Sequence, residues 1–455
     1  MNAIRNISLA VALLASGYTA AQTSYDAVKL SDEDLNGTSR YVSMGGAMSA
    51  LGNDASVISR NPAGIGTFHQ GDINISTSFW GGSTSMDRPG TANGSTYYSG
   101  TGRSDLHMAV DNISFILSGY DGSDFNTNFG FSYRRSSDVD RTLTYFDSFK
   151  DGDGYSHVRE YSDAQRNKTN NFDFNFSLNS NDLLYMGVTF GLVRTDTWSE
   201  GYMYDMFASG GDYTAVDKMN NSLGSGWNMG LGLIARPVPS LRLGAAFKTP
   251  TYFDQDLTYV DYVYANKGLD IDDNPPAFEQ TTSYSYTSPW SINLSAGLTV
   301  RNTALGVEFT QYYADRSNLK ANRSTIGSQG AIDFADYSDF RIGIEQNIGK
   351  ISLRAGFNSV ESPMNFASGV YLKDTEFNKN RYDYQTDRMG HKQNLTFGIG
   401  YCSAPDYDGG QFYIDGAFVH TAKQSDFNIG EYAEDVTVKY NESRNKVQFT
   451  IGYCF

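Results

Sequence analysis

Nothing in this 455-residue chain approaches the roughly 20 consecutive apolar residues that a membrane-spanning helix needs, so a helical membrane protein is excluded. Basic residues are also scarce: 35 Lys and Arg stand against 51 Asp and Glu, a net charge of −16. Binding to nucleic acid phosphates requires a basic patch, and that partner is excluded too. The five histidines (His69, His107, His157, His391 and His420) are scattered, and none sits in a nucleophile or metal-ligand motif. No enzyme, cofactor or resident metal is therefore expected. One loop, Asp151-Gly152-Asp153-Gly154 with Glu160, matches the later positions of a calcium loop, but Phe149 occupies the first ligand position and a polar turn is expected.

What is abundant is equally informative. The chain has 46 Gly, 32 Tyr and 28 Phe, yet its mean hydropathy is −0.44. A transmembrane β-barrel combines these properties, because only alternate residues of each strand meet lipid while the others line a wet interior. At the N-terminus Arg5 precedes a short apolar run at 7–15, and Thr19, Ala20 and Ala21 precede Gln22. This reads as a signal peptide over 1–21, with export through the periplasm to an outer membrane.

Period-two alternation is clearest at the C-terminus. Val447, Phe449, Ile451, Tyr453 and Phe455 share one face, and Gln448, Thr450, Gly452 and Cys454 the other. A strand ending on an aromatic in this register resembles the one that the barrel assembly machinery recognises. The same pattern recurs near 72–80, 108–119, 127–136, 171–178, 183–196, 226–236, 240–250, 290–300, 303–314, 338–346, 350–359, 394–402 and 411–420, which makes about fourteen strands in all. Tight connections at 179–182, 237–240, 301–304 and 347–350 alternate with long ones, as periplasmic turns alternate with outer loops. Hydrocarbon offers no partner to a free N–H or C=O, so the sheet must close. The expected fold is all-β, an antiparallel barrel over 71–455. Its interior would carry Lys248, Glu308, Arg341, Glu345, Arg354 and Asp415, paired across neighbouring strands. Cys402 and Cys454 fall on strands twelve and fourteen, about 9.5 Å apart at two strand spacings. That exceeds the roughly 7 Å reach of a disulfide, and free thiols are expected.

The fifty residues before the first strand do not alternate. They contain a small-residue run ending in Gly45-Gly46-Ala47, then Asp54-Ala55-Ser56, then Asn61-Pro62-Ala63-Gly64. In these features the chain resembles the FadL family, outer-membrane transporters of long-chain fatty acids and other hydrophobic compounds such as toluene. The resemblance implies that 22–70 form a hatch inside the barrel, with Asn61, Pro62 and Ala63 at its centre. It implies passive uptake of a hydrophobic or lipid ligand, gated by the hatch and released sideways into the outer-membrane lipids. Local chemistry agrees: Asp54 can cap a turn over Ala55–Ser59, Pro62 ends it, and Gly64 and Gly66 permit a tight path onward. Val42, Met44, Met48 and Leu51 are the candidates for one wall of a ligand pocket, methionine being an adaptable apolar surface. The family's sideways opening depends on a kink in an early strand, for which Gly130 is the candidate. The alternative is a barrel of the same kind that acts as a binding or shuttle partner in a type IX-like secretion system; a blocked interior with neither apolar pocket nor wall gap would favour it.

Overall fold

The computed structural model describes residues 30–87, 90–92, 95–97, 100–150, 156–207, 213–266, 277–321, 324–325, 336–361, 387–407, 409–429 and 436–455. The expected signal peptide and the Asp151–Gly154 part of the calcium-like loop lie outside them.

The chain forms a closed antiparallel barrel of fourteen strands. They are β1 (Asp72–Asp87), β2 (Gly100–Ser118), β3 (Phe125–Lys150), β4 (Ser156–Ser180), β5 (Leu184–Phe207), β6 (Tyr213–Val238), β7 (Leu241–Lys248, continued by Tyr252–Asn266), β8 (Trp290–Val300, preceded by Ala277–Thr287), β9 (Thr303–Tyr313), β10 (Tyr337–Ile348), β11 (Ile351–Val360), β12 (Asp387–Cys402), β13 (Gln411–Ile429) and β14 (Val436–Cys454). Closure is made by β1 on β14, from Asp72 opposite Cys454 onward, and by Gly71 and Phe455 exchanging both backbone hydrogen bonds at 2.8 and 3.0 Å. Every expected strand is present. Tight turns fall at 181–183, 239–240, 301–302 and 349–350.

The alternation works as lipid outside and polar groups inside. On β14, Val447, Phe449, Ile451 and Tyr453 point outward, while Gln448 and Thr450 are fully buried. On β4, Phe174 and Phe176 are exposed and Asp173, Asn175 and Ser177 buried. Aromatic pairs cross the outer face between β3 and β4, with Phe129–Phe176 ring centroids 5.1 Å apart and Phe131–Phe174 5.4 Å apart. Such cross-strand pairs stabilise neighbouring strands on a shared face.

Strand length departs from expectation. Strands β3 to β6 run to 26, 25, 24 and 26 residues, where about ten residues suffice to cross the bilayer. The sequence pattern stops at the edge of the hydrocarbon because an outward side chain in water need not be apolar. In the continuation of β7 the polarity reverses: Asp254 and Asp256 face out, Phe253, Leu257 and Tyr259 face in. The reversal follows a break at 249–251 in β7, alongside a break at 288–289 in β8. Each break contains a proline, which cannot donate to the ladder. Aromatic pairs mark the same level, Trp227–Tyr252 at 4.9 Å and Trp290–Tyr313 at 4.2 Å, as expected of an interfacial belt.

Cys402 and Cys454 are free, with β13 lying between their strands.

Candidate functional site: the N-terminal segment inside the barrel

Residues 30–70 lie against the inward-facing side chains and travel once around the interior. From 35 to 39 the segment descends beside β14 in step with it. Lys446 Nζ donates to Leu35 O at 3.0 Å, Gln448 Nε2 to Gly37 O at 2.5 Å, and Ser39 N to Thr450 Oγ1 at 2.7 Å. A short helix, α1 (Ser39–Ser43), follows, capped by Thr38, whose side chain accepts from Tyr41 N. Thr396 of β12 donates to Ser43 O at 2.9 Å. Further on, Asn175 and Ser177 of β4 both donate to Pro62 O, and Asn128 of β3 donates to the carbonyls of Ile65 and Phe68.

Two short 3-10 turns carry the expected motif. Asp54 caps the first, Ala55–Ser59, accepting from Ser56 N at 2.9 Å. Asn61 is extended (φ −137°, ψ 100°) and is itself a cap, accepting from Ala63 N at 3.1 Å, with Pro62 opening the second turn, Pro62–Thr67. Proline suits that place because its fixed φ is helical and its missing N–H would be unsatisfied anyway. Asn61, Pro62 and Ala63 are all buried, and Asn61 Nδ2 donates to Leu233 O of β6 at 3.3 Å. Gly64 and Gly66 lie within the second turn, neither at positive φ; a Cβ on Gly64 would meet Val57 at 2.6 Å, so space rather than conformation requires glycine.

Close approach to the wall depends on an inward row of glycines. Gly297, Gly306, Gly343 and Gly356 are directly paired across β8 to β11. A Cβ at these positions would collide with Leu51, Ala47, Met44 and Gly45 respectively. On the opposite wall Gly187 of β5 and Gly232 of β6 are paired and receive Pro62 and Asn61. Val42, Met44, Met48 and Leu51 are buried in one apolar cluster with Tyr41, Val57, Ile58, Ile65, Phe68 and Ile116.

Of the interior charges, Arg354 and Glu345 pair across neighbouring strands as expected, whereas Arg341 pairs with Asp339 on its own strand, Asp415 meets Arg354 from two strands away, and the segment joins the others. Arg354 Nε donates to Glu345 at 2.6 Å and its Nη1 to Asp415 at 2.5 Å, while Arg40 grips Glu345 bidentately at 2.9 Å on both oxygens. Arg60 bonds Asp339, which also receives Arg341, and Arg341 donates to the Tyr41 hydroxyl at 2.9 Å. Lys248 pairs instead with Glu33 at 3.6 Å. Sequence reasoning missed Arg40, Arg60 and the run Asp32-Glu33-Asp34, because nothing in a non-periodic segment reveals which wall it will face.

That acidic run is tied to cations on several strands. Asp32 accepts from Lys392 at 2.6 Å and lies 3.3 Å from Lys423; Glu33 lies 3.6 Å from Arg134; Asp34 pairs with Arg444 at 2.7 Å. Burial pushes the Glu33 carboxyl up, but Lys248, Arg134 and Arg60 outweigh it and hold it at about 2. Asp32 and Asp34 are likewise held low by Lys392 and Arg444 against their burial.

The run also covers a discontinuity in the wall. Strands β2 and β3 pair at Thr101–Thr144 and again from Asn112–Arg134, with no pairs between. Strand β3 bulges between Arg135 and Ser137 in its pairing with β4. Its freed backbone is taken up elsewhere: Ser136 O accepts from Asp34 N at 2.7 Å, Arg135 O from the Asn36 amide at 2.7 Å, Asp138 O from Arg444 at 2.9 Å and Asp140 O from Ser104 at 2.6 Å. Leu106 and Met108 of β2 are 76% and 66% exposed beside the unpaired stretch. The irregularity is in the third strand but not at Gly130, which pairs regularly with Ile116 and Asn175. Beside the acidic run opens a small cleft of about 80 Å³, whose lining mixes Leu30, Val193 and Phe253 with Glu33, Arg60 and Lys248.

No protein-family model matches the chain, and no curated protein matches it in sequence. Solved structures do. A FadL homologue from Pseudomonas aeruginosa aligns with a TM-score of 0.57 over 92% of this chain and 99% of its own, at 13% identity. The toluene transporter TodX of Pseudomonas putida aligns at 0.58 over 93% and 99%, at 14% identity. The toluene transporter TbuX of Ralstonia pickettii aligns at 0.50 over 92% and 98%, at 14% identity. At such identities the likeness is one of fold, and a barrel of this fold points to the outer membrane.

Two outcomes follow from the seating of the segment. Gly306→Val should overpack the interface by about 1–3 kcal/mol, and in limited proteolysis should make 30–70 cleavable while the strands stay protected; an undigested segment would contradict the fit described. Each carboxyl of the acidic run titrates lower here than in a free chain, so its stabilisation is whole above about pH 4.5, the ordinary Glu value, and falls away as pH drops toward 2. A fluorophore on Ser31→Cys, with both native cysteines replaced, should report release only in that acid window, and release near neutral pH would refute the pairing.

Proposed function

We propose that the protein is an outer-membrane channel for passive uptake of hydrophobic compounds, with residues 22–70 as a hatch and release sideways through the wall between β2 and β3. The observation that carries the reading is the unpaired stretch of β2 and β3, where the β3 carbonyls of Ser136 and Arg135 are taken up by Asp34 and Asn36 of the segment itself. Withdrawing those residues would open a passage toward lipid beside Leu106 and Met108. The fold shared with toluene transporters supports the same reading. Val42, Met44, Met48 and Leu51 would meet the ligand only once the hatch shifts, since all four are now buried.

A cleft of mixed lining suits a carrier that must let go. Full apolar burial is worth about 0.8 kcal/mol per CH₂, on the order of 12 kcal/mol for a sixteen-carbon chain, too tight for rapid release. The secretion-partner alternative called for a blocked interior with neither apolar pocket nor wall gap; the cleft is of mixed lining and does not separate the two readings, and it is the unpaired stretch that favours the channel.

The test is uptake of labelled palmitate and labelled toluene by cells with and without the gene, and by cells whose protein lacks 43–63. Loss of selective uptake in both altered strains is expected. Undiminished entry of both compounds in the strain without the gene would overturn the proposal.

A further inference from the structure

The outer face of the barrel carries a hollow that the uptake path does not use. It lies on the extended parts of β5 to β8, beyond the hydrocarbon, with a volume of about 610 Å³. Strand register fixes its layout. Arg194 of β5 is directly opposite Ser225 of β6, Ser225 opposite Asp254 in the continuation of β7, and Asp254 opposite Ser285 before β8. One step farther from the membrane, Asp256 stands between Leu223 and Ser283. All of these line the hollow. Ser225 is the low point between Arg194 and Asp254, whose strands are about 9.6 Å apart at two strand spacings.

The reversal of polarity beyond the break in β7 is what puts the carboxylates there: with Phe253 and Leu257 buried, alternation turns Asp254 and Asp256 outward. Arg194, Asp254 and Asp256 are exposed, and among the described residues none of the three side chains has an ion-pair or hydrogen-bond partner. Depth in the membrane is set from below. Tyr252, directly opposite Trp227, precedes Asp254 by two residues, about 6.8 Å along the strand. These two rings belong to the interfacial belt, so the hollow stands at the level of lipid head groups.

We propose that this hollow binds the phosphorylated sugar head group of an outer-leaflet glycolipid. Arg194 takes the phosphate, its planar fork matching two phosphate oxygens. Ionised carboxylates only accept hydrogen bonds, so Asp254 and Asp256 repel a second anion and take hydroxyl groups, which a sugar ring supplies and phosphatidic acid does not. The serine hydroxyls between them donate as well as accept. The acyl chains run down past Trp227 and Tyr252 into the bilayer. The site is separate from hatch and cargo; it concerns how the barrel is seated among its lipids.

The test is lipid retention, measured by native mass spectrometry on the full protein in detergent with EDTA present, during titration with lipid A or with phosphatidic acid. Lipid A should bind the more tightly. Arg194→Gln should weaken lipid A binding roughly three- to fivefold, the scale of an exposed ion pair. Asp254→Ala with Asp256→Ala should weaken lipid A by a similar factor and leave phosphatidic acid unchanged or tighter, because hydroxyl acceptors and anion repulsion are lost together. Lys168→Gln, the same charge change on the outer face of β4 outside the hollow, should leave lipid A within about twofold, as for an ordinary surface substitution. All four residues are exposed, so the variants keep the barrel. Equal binding of the two lipids by the unaltered protein, or lipid A binding indifferent to residues 194, 254 and 256, would overturn the proposal; so would an equal loss of both lipids in the double aspartate variant.

Discussion

Within a bilayer, every backbone N–H and C=O must find a partner inside the protein, because hydrocarbon offers none and each orphan costs several kcal/mol. Most of this barrel meets that constraint by unbroken pairing around fourteen strands. Between β2 and β3 it does not, and there the chain supplies substitutes from its own N-terminal segment: the backbone of Asp34, the side chain of Asn36 and, from β14, Arg444. Removing the segment would leave an edge that lipid cannot satisfy. The segment and the wall are in this sense one structure, and any motion of the former changes the latter.

Two further features hold the segment in place, and they differ in kind. Its lower half is fixed by shape: the row from Gly297 to Gly356 lets backbone lie on backbone, and any side chain there would lift it off. Its upper half is fixed by charge, three consecutive carboxylates against lysines and arginines of several strands. Shape is insensitive to ligand, whereas charge pairs can be exchanged for those of a ligand. On the proposed channel reading, withdrawal would begin at the upper half, nearest the cleft and the unpaired stretch, and carry the rest of the segment with it.

The barrel was legible in the sequence because lipid imposes a strict rule on alternate residues, and strands such as Ile292–Leu294 or Phe174–Phe176 obey it. The full lengths of β3 to β6, 24 to 26 residues, were not, since beyond the hydrocarbon the rule lapses. The Asn61-Pro62 cap was readable from local chemistry alone. The glycine row was readable in principle: Gly297 and Gly306 flank the 301–302 turn, and Gly343 and Gly356 flank the 349–350 turn, symmetrically enough to pair. Pairing of interior charges could be expected, but not the insertion of Arg40 and Arg60 among them. The bulge at Ser136 leaves no mark, for serine is common on any inward face, and Gly130 drew attention only because glycine often marks bends.

The central claim is that the segment must leave the wall for cargo to pass. The Ser39 and Thr450 hydroxyls are 2.9 Å apart, so Ser39→Cys with Thr450→Cys, in a chain whose Cys402 and Cys454 are replaced by serine, should form a disulfide that pins segment to β14. Uptake of labelled palmitate and toluene should cease on oxidation and return on adding a reductant. Transport at full rate through the oxidised protein would show that the segment need not move, and would contradict the account.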